Sequence, residues 1–219
     1  MRRLPVYFLL DTSGPMCGEH IQALNNALSG MINTLRSDPQ ALDSLWISII
    51  TFNTEVKEIV PLTELVNVQL PEIDSKSFGI RNTGKALKFL IHSLESQFTK
   101  SQSQIYLYHK PLIFLISVRE PSDKEFFIEV ASKLSSIKYG IKIAYILDYY
   151  SDICWTKFFS ENIITFKDDC ENKSLRLFFD WSSKLILETL KKDGVILNVI
   201  NTDRTLMPKL HNQLMYINS

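Results

Sequence analysis

Asp11 and Ser13 close the stretch V-Y-F-L-L-D-T-S-G-P-M (residues 6–16), an apolar run that stops abruptly at an acid. An acid at the end of a buried strand usually holds something positive. The Asp11 and Ser13 side chains can instead serve only the backbone N–H groups of their own turn. Pro15, two residues past Ser13, adds no side-chain oxygen. Cys17 stands where a following helix begins, a position that favours a thiolate. No histidine or asparagine partner accompanies it, so no nucleophilic role is assigned. None of the four histidines (His20, His92, His109 and His211) lies within helical reach of another, and His20 reads as a surface side chain. The chain contains no phosphate-binding glycine loop, dinucleotide fingerprint, nucleophile elbow or H-E-x-x-H helix. A phosphoryl-accepting Asp11 would need a second acid and a metal, and no second acid is evident. The chain reads as non-enzymatic.

The 219 residues suit one large domain or two small ones and are enough for a well-buried core. Basic and acidic residues balance at 24 each, so no global field recruits nucleic acid or an anionic membrane. Cys17, Cys154 and Cys170 form no zinc-type or redox pair and read as the reduced thiols of a cytoplasmic protein. Met1-Arg2-Arg3 followed by Leu4 to Leu10 imitates a signal peptide. The run is too short and ends at Asp11, so it reads as a first strand. No stretch reaches the ~18 to 20 apolar residues of a membrane span.

Leu4 to Leu10 is apolar throughout, as a strand buried on both faces must be. Ile21, Leu24, Leu28, Met31, Ile32 and Leu35 recur at helical spacing, and Asp38-Pro39 ends that helix. Residues 44–52 and 56–62 read as strands around the turn Asn53-Thr54-Glu55, an antiparallel hairpin at one edge. Residues 63–82 read as a long loop, and a helix starts near Thr83. Strands are expected at 110–118, 140–147 and 162–166, with a short helix at 153–159 and a long one at 171–192. Ser122 with Glu125 three residues later forms a capping-box pattern. Asp123 reads as a first-turn acid favoured by the helix dipole. The tryptophans read as packing residues. Asp148, Tyr149 and Tyr150 end a strand, where the tyrosines read as packing residues or, if exposed, would suit a contact surface.

The alternation predicts an α/β fold: a doubly wound, mostly parallel central sheet with one antiparallel edge strand and helices on both faces. Residues 1–193 form the domain. Residues 194–219 are a C-terminal extension, with an extra strand in G-V-I-L-N-V-I and a tail. Ligands of such sheets sit beyond the carboxyl ends of the strands, where Asp11, the 63–82 loop and Val118 are expected to converge.

The opening stretch resembles the start of a von Willebrand factor A domain, most closely the TerY-like bacterial group associated with tellurite resistance and stress. The likeness continues through L-R-S-D-P-Q-A-L-D-S-L-W-I-S-I-I-T-F-N-T, V-P-L-T-E-L, G-K-A-L-K-F-L, P-L-I-F-L-I-S-V-R-E-P-S-D, G-I-K-I-A-Y-I-L and S-L-R-L-F-F-D-W-S-S-K-L-I, covering residues 4–190. It implies a metal-ion-dependent adhesion site that holds Mg²⁺ through an acid and two hydroxyls of the first loop, a threonine of a second and an acid of a third. An open coordination position then takes an acidic group of a partner. Asp11 and Ser13 match the first acid and hydroxyl. Pro15, Arg81 and Val118 replace the second hydroxyl, the threonine and the second acid, and Arg119 replaces a turn glycine.

The resemblance therefore implies a degenerate site without bound metal or other cofactor. Arg81, with Arg119 as second choice, is expected to pair with Asp11 where the metal would sit. Asp11, Ser13, Arg81, Val118 and Arg119 are the expected partner-binding residues, although Arg119 also reads as an ordinary surface arginine. The implied partners are proteins, a kinase and a phosphatase of the same locus, with no nucleic acid and no membrane. A second reading keeps Mg²⁺-dependent adhesion with Asp11, Ser13 and Thr83 as ligands.

Overall fold

The computed structural model describes residues 2–75, 79–99, 108–136, 141–147, 152, 154–160, 162–165 and 171–192. The first strand, β1 (Leu4–Asp11), is buried at every position. A 3-10 turn at Gly14–Met16 leads into α1 (Glu19–Arg36). A short helix, α2 (Pro39–Ser44), separates α1 from β2 (Leu45–Phe52). β3 (Val56–Glu64) turns back along β2, and α3 (Thr83–Thr99) precedes β4 (Leu112–Ser117). The chain then runs through α4 (Lys124–Ser136), β5 (Lys142–Ile146), a 3-10 segment at Cys154–Phe158, β6 (Asn162–Thr165) and α5 (Glu171–Lys191).

The six strands lie in the order β3-β2-β1-β4-β5-β6, with β3 the antiparallel edge and every other pair parallel. The pleat divides β1 between two cores. Leu4, Val6, Phe8 and Leu10 join the layer shared with α1 and α5, and Tyr7 and Leu9 join the layer shared with α3 and α4. On the α5 side Phe8 stacks on Phe114 at 4.9 Å and Tyr145 stacks on Phe178 at 4.4 Å. On the α4 side Phe127 meets Trp155 edge-on at 5.1 Å. Each such fully buried side chain contributes about 1.5–3 kcal/mol relative to exposure. Helices on both faces of a mostly parallel sheet are the architecture expected from sequence. No helix among the described residues is long and apolar enough to cross a membrane.

Several local expectations change. Asp38-Pro39 ends α1 but also starts α2. The Asp38 carboxylate accepts from the N–H groups of Gln40 and Ala41, and Pro39 takes the first helical position, where no N–H is needed. The expected loop from 63 is shorter, because β3 runs to Glu64 and Leu65–Asn67 form a 3-10 turn. The 153–159 helix is a 3-10 segment. Residues 148–151 and the extension from 194 lie outside the described residues.

The capping box at Ser122 is not formed. Asp123 precedes α4, and its carbonyl accepts from the Phe127 N–H at 2.8 Å. The Asp123 carboxylate reaches across to α3, accepting from the N–H groups of Gly84 and Lys85 at 3.0 and 3.1 Å. The acid just ahead of one helix thus caps the open N–H groups of another. The approach depends on Gly84. A Cβ there would meet Phe127 N at 2.7 Å, Asp123 Oδ2 at 2.8 Å and Phe127 Cα at 2.9 Å. Gly30, on an exposed part of α1, has open space around the same position.

One substitution should therefore act with opposite sign at two glycines. Gly84→Ala is expected to lower stability by about 1–3 kcal/mol through overpacking. Gly30→Ala should raise it by about 0.5–1 kcal/mol through helix propensity. Urea denaturation of both variants measures the contrast.

Candidate functional site

β1 is flanked by β2 on one side and β4 on the other, so the sheet reverses its winding direction at the carboxyl end of β1. Asp11 is the last residue of that strand and is fully buried. Its Oδ1 accepts from the Ser13 N–H at 2.8 Å, which closes the local turn. Its Oδ2 accepts from Arg81 Nε at 2.7 Å and from the Val118 N–H at 3.2 Å. The Ser117 hydroxyl donates to the same oxygen at 3.1 Å, with the Arg119 carbonyl as its other acceptor. Both simple readings of Asp11 hold together: one oxygen serves its own turn, and the other holds a cation.

That cation is Arg81, a side chain 9% exposed, in an ion pair with Asp11. Its position is set from several directions. Nη1 donates to the Glu120 carbonyl at 2.7 Å. The Arg81 N–H donates to Ser122 Oγ, and the Ser122 N–H donates back to the Arg81 carbonyl. The neighbouring residues are tied just as closely. Gly14 N–H donates to the Gly79 carbonyl, Ile80 N–H to Thr54 Oγ1, and Asn82 N–H to the Asn53 carbonyl. The Asn82 side chain donates to the Thr54 carbonyl at 3.0 Å. Three loops from other strands thus hold the segment that delivers the guanidinium. On its surface stands Ile80, 54% exposed.

The five residues expected to contact a partner do not share one surface. Asp11, Ser13, Arg81 and Val118 are buried, and only Arg119 is exposed. The physical reason is internal satisfaction: Asp11 and Arg81 spend their polarity on each other and on backbone, and Val118 offers its N–H inward. Pro15 is exposed on the 3-10 turn. Sequence reasoning passed over Ser117 and Ile80 and read Ser122 only as a helix cap. A polar residue ending the apolar strand Leu112–Ser117 was the available signal for Ser117. Around Cys154, the side-chain hydrogen bond that the thiol donates to Asp152, and the charge of that carboxylate, push the thiol up, away from a reactive thiolate.

A divalent cation is the group this kind of fold implies, and the donor set can be tested against it. Asp11 already accepts four hydrogen bonds, one from a guanidinium. Two further oxygens, Ser13 Oγ and Thr83 Oγ1, are buried and have no hydrogen-bond partner. Among the described residues no group of three or more His, Cys, Asp or Glu side chains could hold a metal. Mg²⁺ wants near-octahedral oxygen with anionic members, and Arg81 brings a like charge to the one carboxylate available. In this arrangement the residues do not fit such an ion.

Residues 6–146 match the von Willebrand factor type A domain. Among curated proteins none matches. The solved structures similar to this chain include the PilB minor pilin of Streptococcus sanguinis, at 13% identity and TM-score 0.58, covering 86% of this chain and 62% of that one. They also include the pilus adhesin SpaC of Lactobacillus rhamnosus GG, at 9% identity and TM-score 0.63, covering 87% and 30%. A third is the manganese-loaded TRAP protein of Plasmodium vivax, at 16% identity and TM-score 0.50, covering 81% and 73%. The chain spans less than two thirds of the pilin and about a third of the adhesin. At these identities the likeness is one of fold.

Removing one member of the buried pair should be severe. Asp11→Ala, which leaves Arg81 charged and unmatched, is expected to cost about 3–5 kcal/mol. Combining Asp11→Asn with Arg81→Met should cost less than the sum of the single changes, by about 1–3 kcal/mol. A double-mutant cycle in urea measures both quantities. Additive effects would mean that the pair does not act as a unit.

Proposed function

The chain belongs to the von Willebrand factor type A domain family, and on that footing we propose that it is a non-catalytic protein-binding module working without a bridging metal ion. The observation that carries this reading is the buried Arg81–Asp11 pair at the switch point of the sheet. A carboxylate whose charge is met by the protein's own arginine needs no ion from solution. Structural neighbours that include a pilin and an adhesin fit a binding role.

The contact surface on this reading is the loop face above β1 and β4. Ile80 and Arg119 supply its exposed side chains, and Asp11, Ser13, Arg81 and Val118 hold the loops beneath them. An apolar side chain beside an arginine on a firmly bonded loop suits an interface anchor. The resemblance to TerY-like proteins of bacterial stress and tellurite-resistance loci makes a kinase or a phosphatase the first partner class to try, and makes the cytoplasm the expected compartment.

One observation favours a second reading. The unpartnered hydroxyls of Ser13 and Thr83 are the oxygens that would join Asp11 around Mg²⁺ in a metal-dependent adhesion site. Adopting it would require Arg81 to leave Asp11.

Immobilised wild-type protein and an Ile80→Asp/Arg119→Glu variant, exposed to candidate kinases and phosphatases with Mg²⁺ or with EDTA, separate the readings. Equal capture in both buffers, with roughly 30-fold weaker binding by the variant, is expected for two lost hot-spot contacts. Capture that requires Mg²⁺ would establish the second reading. Capture indifferent to both the buffer and the variant would place the interface elsewhere on the domain.

A further inference from the structure

Arg3 precedes β1 and stands at the other end of that strand from Asp11. The strand is eight residues long, so about 25 Å lies between the two. The backbone of Arg3 is fixed there. Its carbonyl accepts the His109 N–H at 2.8 Å, and an isolated parallel bridge pairs it with Tyr108. On the β2 side, Pro5 stands in register with Trp46. These pairings bring two aromatic rings to one guanidinium. Arg3 Cζ lies 4.5 Å from the centre of the Trp46 ring and 5.6 Å from that of the Tyr108 ring, both within the ~6 Å of a cation–π contact. Arg3 Nη1 also donates to Tyr108 Oη at 3.0 Å. All three side chains are half-buried.

The stack holds this guanidinium without neutralising it. A guanidinium is a fork of N–H donors, and among the described residues Tyr108 Oη is the one acceptor that the Arg3 side chain reaches. No carboxylate pairs with it there. The nearest acid in register is turned elsewhere: Glu64, opposite Trp46 across β2 and β3, accepts from Asn67 Nδ2 at 3.2 Å. Lys110, exposed two residues after Tyr108, has no acidic partner among the described residues either. This end of the sheet differs from the Asp11 end, where the arginine's charge is met inside the protein.

We propose that Arg3, Trp46, Tyr108 and Lys110 form a second binding face, which takes an acidic segment of a protein partner. Trp, Tyr and Arg are the side chains in which interface energy concentrates. A planar fork stacked on rings is pre-organised: it takes a carboxylate through two parallel N–H bonds and loses little rotamer freedom in doing so. Lys110 receives a further carboxylate as a point charge. Nucleic acid fits less well. Duplex binding draws on about 6–10 phosphate contacts, and this chain carries 24 charges of each sign with no excess of base. A base would also need a ring face to stack on, and the arginine already covers one face of each ring. The face lies at the opposite end of the sheet from Ile80 and Arg119, so one chain can hold two proteins at once.

Titration of the full chain with a short acetylated oligo-glutamate peptide tests this, with an oligo-glutamine peptide and single-stranded oligothymidylate as comparisons. Trp155 and Trp181 are buried, so a change in tryptophan emission reports on the half-exposed Trp46. The wild type is expected to bind the oligo-glutamate with a Kd of about 10 μM to 1 mM and to leave the oligo-glutamine unbound. Arg3→Ala and Arg3→Lys should each weaken binding roughly tenfold, the second because an ammonium keeps the charge and lacks the fork. Lys110→Gln should weaken it roughly threefold. Arg3→Lys is the milder change, so the outcome does not hang on Arg3→Ala folding. A wild type that leaves the oligo-glutamate unbound at millimolar concentration overturns the proposal. Unchanged affinity in either folded arginine variant does so too, as does tighter binding of the oligothymidylate. None of these results bears on partner capture at Ile80 and Arg119.

Discussion

A carboxylate enclosed at the end of a central strand must be neutralised, and the upper loops of this domain are arranged around that requirement. Asp11 draws its four donors from three parts of the chain: its own turn, the segment before α3, and the end of β4. The segment before α3 is bonded in turn to the β2–β3 hairpin and to the β4–α4 loop. Leaving any of these buried polar groups unmade costs about 1–3 kcal/mol. The loops are therefore held by the cost of alternatives more than by the gain from any single bond. Inside the barrier of low dielectric the carboxylate–guanidinium contact is stronger than it would be in water, and it is also costlier to break.

The guanidinium arrives in the right place only because α3 starts in the right place. That start is not capped locally. Asn82 directs its side chain to the Thr54 carbonyl, and the Asp123 carboxylate takes over the N–H groups of Gly84 and Lys85. Asp123 can come close because Gly84 has no side chain. The packing of α4 against α3 thereby reaches the site through three consecutive constraints: a glycine contact, a remote helix cap and an arginine two residues before the first capped turn. The aromatic contact between Phe127 and Trp155 anchors the same end of α4 on its other side.

Much of this fold can be read from the chain without coordinates. Strands such as Leu4–Asp11 and Leu112–Ser117 are continuous apolar runs because both of their faces are covered, and helices such as Glu19–Arg36 show the period that one covered face imposes. Asp11 stands out because an acid is costly at a buried strand end. Its partner is a different matter. Arg81 lies 70 residues away, and only the resemblance to a known family put the two side by side. The roles of Ser122 and Asp123 were misread because local pattern favours a local partner. Ser122 and Glu125 have capping-box spacing, yet the nearest donors in space belong to residues 81 to 85. The short helix at Pro39–Ser44 is hidden in the sequence because Asp-Pro reads as a stop, although the same pair also supplies a cap and a permitted first residue. Exposure is the least legible property of all. Val118 and Arg119 are neighbours in sequence, and only the coordinates show one facing inward and the other outward.

On the proposed metal-free reading, the arginine paired with Asp11 bears on how a partner would be recognised on this face. An exposed divalent cation is a strong local charge, whereas Arg81 and Asp11 together are neutral and buried. The rim does not restore a field: Lys124 lies between Glu120 and Asp152, and such exposed pairs contribute little. The chain as a whole is balanced at 24 charges of each sign. On that reading electrostatic steering is expected to be weak, with association in the unsteered range of about 10⁵–10⁶ M⁻¹s⁻¹. Affinity has to come from contact. In that respect the bonded loop under Ile80 matters, because a side chain offered by backbone already held in place needs less ordering when a partner arrives. The arginine that neutralises Asp11 also belongs to the bonded loop that carries Ile80, so on the proposed reading weak long-range attraction and a pre-set contact have one structural cause.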